Sequence, residues 1–138
     1  MKRIKSRDVY AMLEYYGIKK RINAIFFVTE GGKVFMIPEY IDIPAKIYSV
    51  GLCIGKIEKE GFRFTIEGAQ IFYNLATKQI LELNDEQLYD WVRGINTKVN
   101  AKDGYYILKY KDDIVGGGKV KNGVLWNFVK KNRRIKKL

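Results

Sequence analysis

The chain has 138 residues, 47% of them hydrophobic, and its 26 Lys and Arg against 15 Asp and Glu give a net charge of +11. That length suits one compact domain, or two small ones that share an interface. No run of about 18 uncharged apolar residues occurs, and no apolar segment follows the basic start, which excludes a spanning helix and argues against secretion. We therefore expect a cytoplasmic protein with no membrane partner.

The sequence contains no histidine, which removes the commonest general base, proton shuttle and metal ligand together. Its single cysteine, Cys53, cannot form an internal disulfide and lies in an apolar run, where a buried hydrophobe is favoured over a nucleophile. The adjacent acids Asp112-Asp113 and Asp85-Glu86 fall at a predicted turn and a predicted helix start, where backbone geometry favours acids. We therefore predict no catalytic residue, no metal site and no cofactor.

The first half of the chain predicts one helix and two antiparallel strand pairs, over residues 6–16, 24–29 with 34–37, and 49–56 with 62–64. Ser6 precedes apolar residues at helical spacing, and Gly17 then supplies a stop. Gly31 and Gly32 can adopt the positive φ of a tight turn, so the first strand pair is a hairpin that ends at Pro38. The first half is therefore predicted to be a small α+β unit.

The second half predicts two helices and a set of strands, over residues 65–75, 80–83, 84–94, 105–111, 114–121 and 124–128. Thr65 can begin the first helix, and Asn84 can cap the second with Gln87 completing a capping box. Asn122-Gly123 is the strongest hairpin signal, because both residues tolerate the left-handed conformation of a type I′ turn. We therefore predict that the last three strands, residues 105–111, 114–121 and 124–128, form an antiparallel meander.

No repeat, low-complexity segment or Pro/Ser-rich linker interrupts the chain. A domain boundary, which we place near residue 64, must then be a packed interface. The predicted domains are residues 1–64 and residues 65–138.

The excess charge is confined to the two ends of the chain. Residues 1–21 carry seven cations against two acids, residues 130–138 carry six cations against none, and the residues between them net zero. This distribution suggests a polyanionic partner, with nucleic acid first and an anionic membrane second. Near the N-terminus the candidates for phosphate contact are Lys2, Arg3, Lys5 and Arg7, although a disordered basic arm without function explains them equally well.

The C-terminal third combines a glycine-rich hairpin with a basic tail. No helix follows Gly116, Gly117 and Gly118, so they do not form a phosphate loop. They indicate either a bent or bulged strand or a close approach of RNA to the backbone, and we leave both open. Lys119 and Lys121 share one strand face, and for these lysines alone a solvated polar face is slightly favoured over a binding face. The tail gathers six cations, enough for several phosphate contacts: Lys130, Lys131, Arg133, Arg134, Lys136 and Lys137.

Aromatic residues could add stacking surfaces to this basic region. Trp126 and Phe128 lie on the last predicted strand, and we predict that they face the core, because a strand needs a buried face.

From residue 84 onward the chain carries, in order, a helix, Trp91-Val92-Arg93-Gly94, a Gly-Tyr strand at 104–110, Gly116-Gly117-Gly118, Leu125-Trp126-Asn127 and Arg133-Arg134. This order resembles a PUA domain, an RNA-binding pseudobarrel, and in particular the C-terminal region of Nol/Nop/Sun RNA cytosine-5 methyltransferases. Residues 51–55 and 62–69 resemble the pre-PUA unit that precedes it there and in Nip-type ribosome-biogenesis factors. The resemblance is strongest over residues 79–134.

The resemblance implies an α+β fold in which a small α/β pre-PUA unit packs on a PUA-like mixed β pseudobarrel. The methyltransferases also use an S-adenosylmethionine-binding domain and cysteines in Pro-Cys and Thr-Cys motifs. Here Cys53 follows Leu52, and no glycine-rich strand-to-helix turn occurs, so we expect the RNA-binding half alone. A proline that tends to follow the Leu-x-Asn strand in that family is replaced by Val129 and Lys130.

The function that follows is non-catalytic binding of structured RNA, tRNA or rRNA, in RNA modification or ribosome biogenesis. The alternative is an accessory subunit that docks on a separate RNA methyltransferase, or on a ribosome-assembly protein, and delivers the RNA. The candidate RNA-binding residues are Lys2, Arg3, Lys5, Arg7, Arg93, Gly116, Gly117, Gly118, Lys119, Lys121, Lys130, Lys131, Arg133 and Arg134.

Overall fold

The computed structural model describes residues 1–38 and 51–135. The predicted strand start at residues 49 and 50, and the tail cations Lys136 and Lys137, lie outside the described residues. The described part of the chain contains two five-stranded sheets and three α-helices, which confirms the predicted α+β class. No helix in these two ranges combines the length and the apolar character that a bilayer crossing requires.

The first sheet is antiparallel and follows the order of the chain, with strands Lys2–Ile4 (β1), Ala24–Val28 (β2), Lys33–Pro38 (β3), Leu52–Glu58 (β4) and Gly61–Phe64 (β5). Helix α1, Ser6–Leu13, continues as a 3-10 turn over Glu14–Tyr16 and ends at Gly17, as predicted. Its buried Val9, Leu13 and Tyr16 belong to the same core cluster as Phe26 of β2. The helix therefore covers the inner face of the sheet.

Strand β1 was not predicted. Ile4 pairs with Phe26, and Lys2 pairs with Val28, so part of the basic N-terminal segment is the edge strand of the first sheet. The disordered arm that was the alternative for Lys2, Arg3, Lys5 and Arg7 is therefore wrong. Lys5 occupies the N-cap of α1, and Arg7 lies within the helix.

The second sheet has the order β6, β8, β9, β10, β7 and curls into a half-barrel. Its strands are Ile80–Glu82 (β6), Thr97–Lys98 (β7), Gly104–Tyr110 (β8), Asp113–Lys121 (β9) and Val124–Trp126 (β10). Strand β6 runs parallel to β8, and the other pairs are antiparallel, so the sheet is mixed as predicted. Strand β7 was not predicted.

Helices α2, Ile66–Phe72, and α3, Asp85–Val92, begin where the sequence indicates. The Thr65 hydroxyl accepts a hydrogen bond from the Gly68 N–H at 3.0 Å. Asn84 and Gln87 form the reciprocal capping box, with bonds of 2.8 and 2.9 Å. Asn122 and Gly123 have φ values of 54° and 74°, which confirms the left-handed turn between β9 and β10.

The larger core cluster takes residues from both halves of the chain. Tyr105 and Ile107 of β8 pack with Tyr16, Phe64 and Phe72. The two sheets are thus joined through side chains that are almost completely buried. The domain boundary near residue 64 stays a prediction.

Candidate nucleic-acid interface

The C-terminal tail, residues 127–135, is attached to the end of α3 through Asn127. The side-chain amide of Asn127 donates hydrogen bonds to the carbonyl oxygens of Trp91, at 2.9 Å, and Ile95, at 3.4 Å. Its Oδ1 accepts a hydrogen bond from the Val129 N–H at 2.8 Å. One side chain therefore satisfies backbone groups at the helix end and sets the direction in which the tail leaves β10.

The far end of the tail is attached to the same helix. The Ile135 N–H donates to the Val92 carbonyl at 2.7 Å, and Arg134 Nε donates to the Val129 carbonyl at 3.0 Å. Arg134 also lies directly over Gly94, where an added Cβ would come within 2.2 Å of Arg134 Nε. Arg134, a predicted phosphate ligand, is thus half-buried against its own protein, and its contact with RNA stays a prediction.

The remaining tail cations differ in their pairing. Arg133 Nη1 forms a salt bridge with Glu67 Oε1 of α2 at 2.7 Å. Burial acts to raise the pKa of Glu67, but its own backbone N–H and Arg133 outweigh burial, so the pKa lies below its ordinary value. Lys130 and Lys131 are exposed and have no ion-pair partner among the described residues. They are therefore the cations that the tail offers to an external anion.

A groove of about 460 Å³ lies between the outer face of the first sheet and the tail. Its lining includes Lys33, Phe35, Lys56 and Arg63 on the sheet side, Phe128, Lys130 and Arg133 on the tail side, and Phe64, Glu67, Trp91 and Gly117 between them. Of the predicted site residues, Gly117, Lys130 and Arg133 line the groove. The groove joins them to cations of the first sheet that the sequence did not single out.

The prediction that Trp126 and Phe128 face the core is wrong. Trp126 is 46% exposed and Phe128 39% exposed. Strand β10 stops at Trp126, so Phe128 lies beyond the alternating part of the strand, and Val129 takes the buried position instead. The Arg63 guanidinium lies 3.8 Å from the centre of the Phe128 ring, a cation–π contact between the two halves of the chain.

Arg63 is held in place by an acid on the neighbouring strand. Arg63 Nη2 donates to Glu58 Oε2 at 3.1 Å, and Tyr105 donates its hydroxyl to Glu58 Oε1, also at 3.1 Å. Burial and then the bond to Glu58 raise the pKa of Tyr105 to about 12, so at neutral pH it is a neutral donor. The network fixes the orientation of Arg63 at the wall of the groove.

The three consecutive glycines of β9 are buried against the protein itself. An added Cβ would come within 2.2 Å of the Phe64 carbonyl oxygen at Gly117, 3.0 Å of the Trp91 ring at Gly116 and 2.7 Å of Leu125 at Gly118. The pairing of β8 with β9 also shifts by one residue just before Gly116, which is a β-bulge. Close approach of the Phe64 backbone at Gly117, and of the Trp91 and Leu125 side chains at Gly116 and Gly118, therefore accounts for these glycines, and their contact with RNA stays a prediction.

The other predicted site residues are spread over the surface. Lys119 forms a salt bridge with Glu60 at 3.5 Å, and Lys121 is exposed beside the turn. The Arg93 guanidinium lies 4.6 Å from the centre of the Tyr89 ring. None of these three lines the groove.

The N-terminal cations lie far from the tail. Strand β1 forms one edge of the first sheet, whereas β5, which carries Arg63 of the groove, forms the other. Four strand spacings separate these edges, roughly 19 Å. The strand order therefore separates Lys2 and Arg3 from the C-terminal cations, and neither Lys5 nor Arg7, at the start of α1, lines the groove.

The described residues contain no group of three or more Cys, Asp or Glu side chains that could hold a metal ion. What they offer is a set of cations and aromatic rings at the junction of the two halves. That arrangement can bind a polyanion whose bases are accessible for stacking.

Comparison with known protein families gives two matches. Residues 1–66 match the family described as NIP7/UPF0113, pre-PUA domain, and residues 78–135 match the family described as Methyltransferase RsmF PUA domain. No curated protein matches the chain.

Proposed function

Because the chain belongs to the proteins that join a pre-PUA domain to a PUA domain, a class of RNA-binding domain, we propose that it is a non-catalytic RNA-binding protein of tRNA or rRNA modification or of ribosome biogenesis. Its role in this proposal is to hold structured RNA in place for another factor. The domain assignment supports RNA over duplex DNA as the ligand.

The observation that carries the proposal is the position of the tail. Asn127 and Ile135 hold its two ends against α3, and Lys130 and Lys131 project between them. Cations on a fixed backbone lose little conformational freedom when they contact phosphates, because the chain is already ordered. These phosphate contacts can position a strand of RNA without reading its base sequence.

The test is binding of fluorescent tRNA, an rRNA hairpin and duplex DNA of matched charge at several salt concentrations. Lys130→Gln/Lys131→Gln is expected to flatten the slope of log K against log salt by about 1.4 to 1.8 units. Lys78→Gln/Lys102→Gln, an equal charge change on exposed lysines outside the groove and the tail, is the control. Equal and salt-labile binding of all three nucleic acids would contradict the proposal.

A second candidate function is an accessory subunit that docks on an RNA methyltransferase. The second half of the chain exposes several large apolar side chains, which favours a protein contact there: Tyr89, Ile95, Trp126, Phe128 and Ile135. A pull-down from nuclease-treated extract separates the two functions. A methyltransferase that is retained by the wild type and lost with Trp126→Ser supports the subunit, whereas loss of every partner on nuclease treatment supports simple RNA binding.

A further inference from the structure

Three cations lie side by side across the first sheet, at the wall of the groove. Lys33 of β3 pairs directly with Lys56 of β4, and Lys56 pairs directly with Arg63 of β5. All three side chains line the groove between the sheet and the tail. We call Lys33, Lys56 and Arg63 the cation row.

The register that creates this row depends on a β-bulge. Along β3 and β4, Val34 pairs with Gly55 but Phe35 pairs with Cys53, so Ile54 is the extra residue of β4. The bulge turns Ile54 and Gly55 both toward the interior, where both are buried. Lys56 is thereby placed on the outer face beside Lys33.

A row of like charges does not stabilise a sheet. Like charges directly opposite each other on neighbouring strands are destabilising. Arg63 is compensated by a salt bridge with Glu58, whereas neither Lys33 nor Lys56 forms a salt bridge among the described residues, although the charge of Lys56 acts on Glu58 from a distance. An external polyanion would relieve their repulsion, so the arrangement is better explained by a ligand than by folding.

The opposite side of the groove identifies the kind of polyanion. It is lined by Phe128 and Lys130 of the tail and by Arg133, whose charge is paired with Glu67, also at the groove. Phe128 is 39% exposed and carries the Arg63 guanidinium on its ring. Cations that follow a backbone beside an exposed aromatic ring are the features by which proteins hold single-stranded nucleic acid.

We propose that the groove binds a single-stranded segment of the RNA, with Lys33 and Lys56 contacting its phosphates and Phe128 packing against a base. This inference rests on the proposed RNA-binding function. It adds the groove, as the surface for a single-stranded segment of the RNA, to the contacts made by the tail. The bases of an A-form duplex are paired and stacked inside the helix, so a duplex offers no free base to Phe128, whereas the unstacked bases of a single strand can pack against an aromatic ring. The tail contacts the structured part of the RNA, and the single strand crosses from the tail to the first sheet.

The experiment compares a fluorescein-labelled RNA hairpin that has a six-nucleotide single-stranded extension with the same hairpin without it. Lys33→Gln/Lys56→Gln is expected to weaken binding of the extended hairpin on the order of ten-fold at 0.1 M salt, and to flatten its salt slope by about 1.4 units. The affinity for the blunt hairpin should stay within about two-fold of wild type, because that RNA has no segment for the groove. Lys78→Gln/Lys102→Gln is again the matched control.

The outcomes distinguish failure of the groove proposal from failure of the RNA-binding function on which that proposal rests. If Lys33→Gln/Lys56→Gln binds the extended hairpin as the control does, while Lys130→Gln/Lys131→Gln loses affinity for both hairpins, RNA binding stands and the groove proposal fails. If the wild type binds neither hairpin, both fail. If Lys33→Gln/Lys56→Gln keeps its RNA affinity but loses a protein partner, the groove is a protein-binding surface, and the proposal is also overturned.

A stability measurement distinguishes a binding role from a structural one. Lys56→Glu places an acid between Lys33 and Arg63, so it is expected to leave Tm unchanged or raised while it abolishes the advantage of the extended hairpin. A lowered Tm together with retained RNA affinity would show that the cation row is structural.

Discussion

Tyr105 donates its hydroxyl to Glu58 Oε1 at 3.1 Å, and this hydrogen bond joins the second sheet to the first. The same carboxylate accepts from Arg63 at its other oxygen. Because Arg63 also lies over Phe128, one acid connects a strand of the pseudobarrel, a strand of the first sheet and the start of the tail. The groove is therefore built on a contact between the halves and not on either half alone.

Glu58→Gln tests this connection. The substitution removes the charge that strengthens both hydrogen bonds, and we expect the free energy of unfolding to fall by about 1 to 3 kcal/mol. Urea denaturation measures it. The matched control is Glu60→Gln, because Glu60 forms only an exposed pair with Lys119 at 3.5 Å, and its loss should cost less than about 1 kcal/mol. Equal effects of the two substitutions would contradict the role given to Glu58.

The free energy of unfolding is expected to fall in acid because of the Glu58 carboxyl group. Burial acts to raise the pKa of Glu58, but the hydrogen bond and charge of Arg63 outweigh it, so the pKa lies below its ordinary value of 4.5. A carboxyl group whose pKa is lower in the folded than in the unfolded state stabilises the folded state fully when the pH lies above the unfolded-state pKa. This contribution is lost as the pH falls through the lowered, folded-state pKa. Unfolding by urea at pH 7 and pH 3 should show a smaller difference in Glu58→Gln than in wild type. An identical difference in both proteins would refute the assignment.

Gly117→Ala separates the two interpretations of the glycine run. A Cβ at Gly117 would come within 2.2 Å of the Phe64 carbonyl oxygen, which is backbone and cannot move aside easily. We expect a loss of about 1 to 3 kcal/mol in the free energy of unfolding. Gly31→Ala is the control, since its added Cβ would meet its nearest neighbour only at 3.9 Å. Unchanged stability with weakened RNA binding would instead favour a direct approach of RNA to this strand.

Local signals in the sequence predicted much of the fold. The capping box of Asn84 and Gln87 and the turn at Asn122-Gly123 depend on residues at most three positions apart, so the sequence contains the whole interaction. Strand β1 could not be found in that way. Its apolar residue Ile4 is a single position between cations, and its partner Phe26 lies twenty-two residues further along the chain.

The candidate site was less predictable than the fold, for a related reason. The charge of the tail is visible in the sequence, and Lys130 and Lys131 are exposed as expected. The cation row depends on three strands being in register across a bulge at Ile54, which no local pattern indicates. Nor does the run of cations show that Arg133 is neutralised by Glu67.

Asn127→Ala tests whether the path of the tail, and not only its charge, serves RNA binding. The substitution removes the bonds to the Trp91 and Ile95 carbonyls and to the Val129 N–H, so we expect stability to fall by about 1 to 3 kcal/mol. RNA affinity should fall as well, because the tail cations must then be ordered at the moment of binding. The salt slope should change little, since no cation is removed.

The control for this prediction is Asn74→Ala, which changes an exposed asparagine in the 3-10 turn after α2. It should leave stability and RNA affinity unchanged. Loss of affinity without a change in salt slope would separate Asn127→Ala from Lys130→Gln/Lys131→Gln, which flattens the slope. If Asn127→Ala lowers stability but binds RNA as tightly as wild type, a loosely attached tail suffices, and the fixed position of Lys130 and Lys131 is not what produces affinity.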